Sequence, residues 1–186
     1  VGLIVADVAF PGGAMRPLAE AILYFGLLIY AVMLPAMLYR LIFCQEVPDL
    51  AKPTIAILAA PASLSLAGYL TVAEAPSMLL VGLLAGIAVL MTLLIYVAFL
   101  HLLRLPFNPG YAAFTFPMVI GATALFKLAH QLQLWGLAPG EIAWVGQLAQ
   151  LELVIATLVV GYVSLRYLHH YRPSAAPPTP LHHSQQ

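Results

Sequence analysis

The sequence has 186 residues, of which 63% are hydrophobic and 8% charged, with a formal net charge of zero and a mean hydropathy of +0.99. A soluble domain carries about a quarter charged residues, so this composition excludes one and defines an integral membrane protein. The charge balance also excludes a nucleic-acid partner, which needs a concentrated basic face.

The opening residues, VGLIVADVAF, are apolar with no charged region before them. They read as the end of a span whose beginning lies upstream, and not as a signal peptide. Asp7 falls within this stretch and has no role that sequence assigns. Pro11-Gly12-Gly13 closes it. Five complete apolar spans follow, over 16–43, 53–72, 76–103, 109–132 and 142–167, each near or above the ~20 residues a bilayer requires. Several open with proline in the first turn, and the short connectors hold most of the charge. Helical periodicity is weak because the spans are apolar nearly all round. The predicted fold is all-α, a polytopic membrane bundle over 1–171. The remainder, 172–186, is too polar and Pro-rich to pack and is expected to be a disordered cytoplasmic tail.

Orientation follows from the cations. Arg40 and Lys52 flank the first connector, Arg104 the third, and Arg166 and Arg172 the C-terminal end, whereas the second and fourth connectors carry none. The positive-inside rule places the first and third connectors and the tail in the cytoplasm, with Arg16 as the dissenter. Trp135 and Trp144 bracket the fourth connector as an interfacial belt, and Tyr167 and Tyr171 do the same on the other side. The multi-pass protein is expected in the inner (plasma) membrane.

The stretch 105–127, LPFNPGYAAFTFPMVIGATALFK, carries most of the functional information. Pro109 suits a first helical turn, but Pro117 is eight residues deeper and is expected to break a backbone hydrogen bond and bend the span. In hydrocarbon such a bend persists only where protein or a watery cavity satisfies the freed carbonyl. Beyond it come Gly121, Ala122, Thr123 and Ala124, then a cation, Lys127. At about 3.6 residues per turn, Phe116, Thr123 and Lys127 fall near one stripe. The chain also echoes itself. Pro53 and Pro61 stand eight apart, as do Pro109 and Pro117, and both pairs precede small-residue tracts. A two-helix unit repeated in one orientation produces this pattern, with the bent helix inside and its straighter partner outside. Close helix packing is the competing reason for the small residues. Where the second unit has Phe116 the first has Ala60, so one ring obstructs a path that the other helix leaves open.

The segment PFNPGYAAFTFP resembles the penultimate helix of the tellurite-resistance/C4-dicarboxylate transporter family, relatives of the plant slow-type anion channels. KPTIAILAAPASLSLAGYL is similar to that family's seventh helix, and the resemblance covers the chain up to the tail. It implies ten helices as five hairpins, inner helices bent around a pore, and homotrimers with one pore per protomer. On that plan this chain holds the C-terminal half, with the remainder either truncated or supplied by a partner. The resemblance also implies a small anion or dicarboxylate as substrate, with tellurite resistance or sulfite export as possible settings, and a pore gate at Phe116.

The candidate site is therefore the gate Phe116, the bending prolines Pro61 and Pro117, and a lining of Ala60, Ser63, Thr115, Thr123 and Lys127. An anion would be drawn by cationic mouths and helix N-termini, with the ring as obstruction. Each residue has a plainer reading. Phe116 could be a packed core ring. Ser63 and Ser65 could bond their own helix carbonyls, and Lys127 could pair with Glu20 or Glu152. The absence of an obvious buried carboxylate or histidine relay favours passive passage.

Another class is a membrane subunit of a redox complex binding haem or quinone. His101 and His130 lie on neighbouring spans but at opposite membrane faces, too far apart to share a haem. His169, His170, His182 and His183 lack the spacing of a metal site. No phosphate loop, nucleophile elbow or HExxH is present, and the few acids are scattered. No enzyme activity and no cofactor are expected.

Overall fold

The computed structural model describes residues 2–44 and 47–172, and among these it is all-helical. A short helix α1 (Ile4–Val8) is followed by α2 (Arg16–Phe43), α3 (Ala60–Val72), α4 (Met78–Leu102), α5 (Thr115–Leu134) and α6 (Pro139–His170). Five stretches are long and apolar enough to cross a membrane: Arg16–Phe43, Lys52–Val72, Met78–Leu102, Pro109–Leu134 and Pro139–His170. The spans expected from sequence are thus present. The expected tail beyond Arg172 lies outside the described residues.

The two proline-marked spans form the inside of the bundle. Their most apolar windows are 72% and 56% buried, against 17%, 33% and 28% for α2, α4 and α6. Small side chains explain the difference, because Ala62, Ser63, Ala67 and Gly68 on α3 and Gly121, Ala122 and Ala124 on α5 let neighbouring helices approach closely. Glycine provides the tightest of these approaches. A Cβ at Gly26 would lie 2.5 Å from Ile4 Cγ1, and one at Gly68 would lie 2.6 Å from Ile4 Cγ2, so Ile4 of α1 is seated in notches on α2 and α3.

The bend expected in mid-helix takes another form. Lys52–Ala59 and Pro109–Phe114 are 3-10 helices, and each changes to α-helix just before its proline. Pro61 is the second residue of α3 and Pro117 the third of α5. Proline is tolerated there because the first turn of an α-helix has no carbonyl waiting for its missing N–H. The chain therefore changes helix type instead of breaking an α-helix. The two 3-10 runs lie side by side, since a Cβ at Gly110 would be 3.6 Å from Pro53 Cβ.

Most of the buried side chains form two clusters, and Tyr30, Ala62 and Ala88 form a smaller third. Leu23, Leu64, Leu66, Val81, Ile120 and Leu128 belong to the first, Ile95, Phe99, Tyr111, Phe114, Met118 and Val159 to the second. Arg16, the dissenter from the charge rule, is neutralised where it stands. Its Nε lies 3.3 Å from Glu74, its Nη1 donates to the Val72 carbonyl at 2.7 Å, and its guanidinium sits 5.9 Å from the Phe10 ring centroid.

Candidate pore face

An aromatic cluster fixes the start of the Pro109–Leu134 span. Asn108 Oδ1 accepts from the Gly110 amide at 2.8 Å, which caps the 3-10 turn. The Tyr111 hydroxyl donates to the Leu105 carbonyl at 2.6 Å, and the Tyr167 hydroxyl of α6 donates to the Pro109 carbonyl. Arg166 of α6 lies over Phe107, Tyr111 and Tyr162, 5.6 to 5.9 Å from the ring centroids, a cation–π arrangement that holds the guanidinium between rings, although its buried Nε has no hydrogen-bond partner. Phe114 completes the cluster, 4.9 Å from Tyr111 and 5.2 Å from Phe99.

Beyond this anchor α5 has two unlike sides. Pro117, Met118, Ile120, Gly121, Ala124, Leu125 and Leu128 are buried. Phe116 is 46% exposed, Val119 and Phe126 are exposed like it, and Thr123 and Lys127 are half-buried. The open residues recur at 116, 119, 123, 126–127 and 130, which is one helical stripe. Phe116, Thr123 and Lys127, read from sequence as sharing a stripe, do lie along it. Toward the Leu134 end this side meets a cavity of about 570 Å³ between α5 and α6, lined by Phe126, His130, Gln133, Gln147 and Gln150 among others.

The remaining candidates are placed differently. Ala60 is 4% exposed and Ser63 1%, so both are packed among helices and off the open stripe. The Ser63 hydroxyl donates to the Ala59 carbonyl at 3.3 Å, the plainer of its two readings. Ser65 is fully buried and its hydroxyl has no partner. Thr115 and Thr123 donate to Ala112 and Val119 carbonyls at 2.8 and 3.0 Å, while Pro61 is half-buried. Among the described residues the ion pairs are Arg16–Glu74 and Lys52–Asp49, so Lys127 does not pair with Glu20 or Glu152.

Two acids were under-read in the sequence. Asp7, which sequence could not place, is 1% exposed, and its Cβ would lie 3.4 Å from a Cβ at Gly68. Glu152, considered only as a partner for Lys127, is 8% exposed on α6 and faces Gly121 of α5. One carboxylate oxygen of each has no hydrogen-bond partner. The expectation that buried carboxylates are absent is therefore corrected. The signal was available in the glycines opposite them, but glycine does not reveal which side chain it makes room for.

At the other end, Asp49 Oδ1 lies 2.6 Å from Lys52 Nζ, and the hydrogen bond and charge of Lys52 hold the Asp49 carboxyl below the usual carboxylate range. His101 stands in the last turn of α4, near that connector, and His130 lies one turn before the end of α5, at the opposite end. No group of three or more metal-ligating side chains occurs among the described residues.

Two proline-headed inner spans side by side, outer helices around them and an open stripe on one inner helix define a helical membrane protein of the channel and carrier class. The family model described as voltage-dependent anion channel (SLAC1) matches residues 2–168, and the chain belongs to that family. It is accordingly a multi-pass membrane protein of an anion channel and transporter family. No curated protein and no solved structure matches the chain.

Proposed function

We propose that the protein conducts small anions or C4 dicarboxylates such as malate along the open stripe of α5, with Phe116 as the gate. The observation that carries this reading is the position of that ring. Phe116 is 46% exposed directly before buried Pro117, on a helix whose other side is packed. A large apolar ring exposed from an inner helix has no core to fill, and an obstruction in a path is a role that uses it.

The rest of the stripe suits passage better than tight binding. The Thr123 hydroxyl is occupied by its own helix, which leaves an acceptor surface of low affinity. Lys127 supplies positive potential near one end, and the side-chain amides and the imidazole of the 570 Å³ cavity supply donors beside it. Thr115 and Pro61 lie toward the opposite end, and Ala60 and Ser63 shape the wall from behind. We further infer, from the family resemblance, a ten-helix plan with α3 and α5 as inner helices, a homotrimer, and residence in the inner membrane, with tellurite resistance or sulfite export as the physiological setting. Flux into liposomes bearing the complete protein, with chloride, nitrate, sulfite and malate compared, tests the reading. Anion-dependent flux above protein-free liposomes is expected, and no flux of any of the four would overturn it.

A further inference from the structure

Glu152 is the fourteenth residue of the 32-residue α6, close to the middle of its span, and its carboxyl points at α5. Contact there is so close that a Cβ at Gly121 would lie 1.9 Å from Glu152 Oε1 and 2.8 Å from its carboxyl carbon. Oε1 is buried and has no partner. A cavity of about 190 Å³ adjoins it between α4, α5 and α6, lined by Thr92, Tyr96, Leu125, Leu148, Glu152 and Ile155 among others. From α4, Tyr96 is the titratable group facing Glu152, and its hydroxyl is also buried without a partner. From α5 the facing residues are Gly121 and Leu125, and no Lys, Arg or His lines the cavity.

A bare carboxylate in hydrocarbon with no facing cation is strongly disfavoured, so the packing seen here accommodates the neutral acid. Release of its proton needs an acceptor; the adjoining cavity is mostly apolar, but Thr92 and Tyr96 line it beside Glu152, and a water reaching the carboxyl between them would provide one. The charged carboxylate left behind must be solvated, which draws it away from Gly121. Proton occupancy and the fit of α6 on α5 are then linked. Gly121 is five residues after Phe116, at about 100° per residue some 140° round the helix, so Glu152 bears on the gate helix from behind.

We propose that Glu152 is a proton-binding site within the membrane, and that its occupancy sets the seating of α6 against α5 behind Phe116, making anion passage pH-dependent. The effect on passage rests on the proposed function; the proton site itself does not. In the packed, protonated arrangement the gate helix is held, so raising the pH frees it.

Infrared difference spectra of the complete protein test the site directly. A neutral carboxylic acid carbonyl band that titrates away on raising pH, and is missing in Glu152→Gln, is expected. A band unchanged by that substitution overturns the site. Liposome flux tests the coupling: wild-type flux rises several-fold from mildly acidic to mildly alkaline pH, Glu152→Gln stays at the low value throughout, and Glu141→Gln, an exposed acid at the start of α6, keeps the wild-type profile. A Glu152→Gln profile that still rises like wild type overturns the coupling. Flux absent from every protein overturns the proposed function instead, and the infrared result still decides the proton site.

Discussion

Phe114 and Phe116 flank the junction between the 3-10 run and α5 and face opposite ways: Phe114 is fully buried against Phe99 and Tyr111, while Phe116 is 46% exposed. Two residues of separation place side chains about 200° apart on an α-helix, and somewhat more on the tighter 3-10 turn. One ring therefore belongs to the core and the other to the open stripe.

This separation predicts opposite phenotypes for the same substitution. Phe114→Ala removes a core ring and is expected to destabilise the fold by about 3–5 kcal/mol, seen as a lower thermal midpoint in detergent. Phe116→Ala is expected to leave that midpoint nearly unchanged and to raise anion current through the reconstituted complete protein. Unchanged current would remove the gate assignment.

The Gly121–Glu152 contact predicts strong coupling between two helices. Gly121→Ala places a methyl group where Glu152 Oε1 lies 1.9 Å away, so overpacking should destabilise by about 1–3 kcal/mol. Adding Glu152→Ala removes the obstructing carboxyl and should recover part of that loss. A double-mutant cycle of thermal midpoints measures it, and strictly additive effects would mean that the two side chains do not compete for one space.

Arg16 makes two interactions of unequal worth. Its bridge to Glu74 involves a carboxylate side chain that is 75% exposed, and such pairs contribute about 0–1 kcal/mol. Its bond to the Val72 carbonyl ties the start of α2 to the end of α3. Arg16→Ala should therefore lower stability more than Glu74→Gln does. Equal effects would assign the whole contribution to the ion pair.

The Asp49–Lys52 contact gives a pH dependence with a defined sign. The folded carboxyl titrates below its usual range because Lys52 donates to it and stabilises its charge. Its contribution is present above the ordinary carboxylate range and is lost as pH falls through the lowered folded value. NMR titration of Asp49 should give a midpoint below that of an unpaired aspartate, and Lys52→Met should restore the ordinary one. An unshifted wild-type midpoint would show that the pair does not form in solution.

Much of this molecule follows from composition and order along the chain. Runs of some twenty apolar residues must cross a bilayer as helices, because no other structure satisfies their backbone there. The paired prolines eight residues apart likewise mark the two inner spans, since small-residue tracts behind them allow the closest packing. Tertiary structure decided what one-dimensional spacing leaves degenerate. Whether Pro117 kinks a helix or opens one depends on the 3-10 run before it, which the packing of Tyr111 and Phe114 against α4 and α6 holds in place. Whether Glu152 meets Lys127 or Gly121 depends on how α6 is rotated about its axis, and a helix apolar nearly all round carries no amphipathic signal of that rotation.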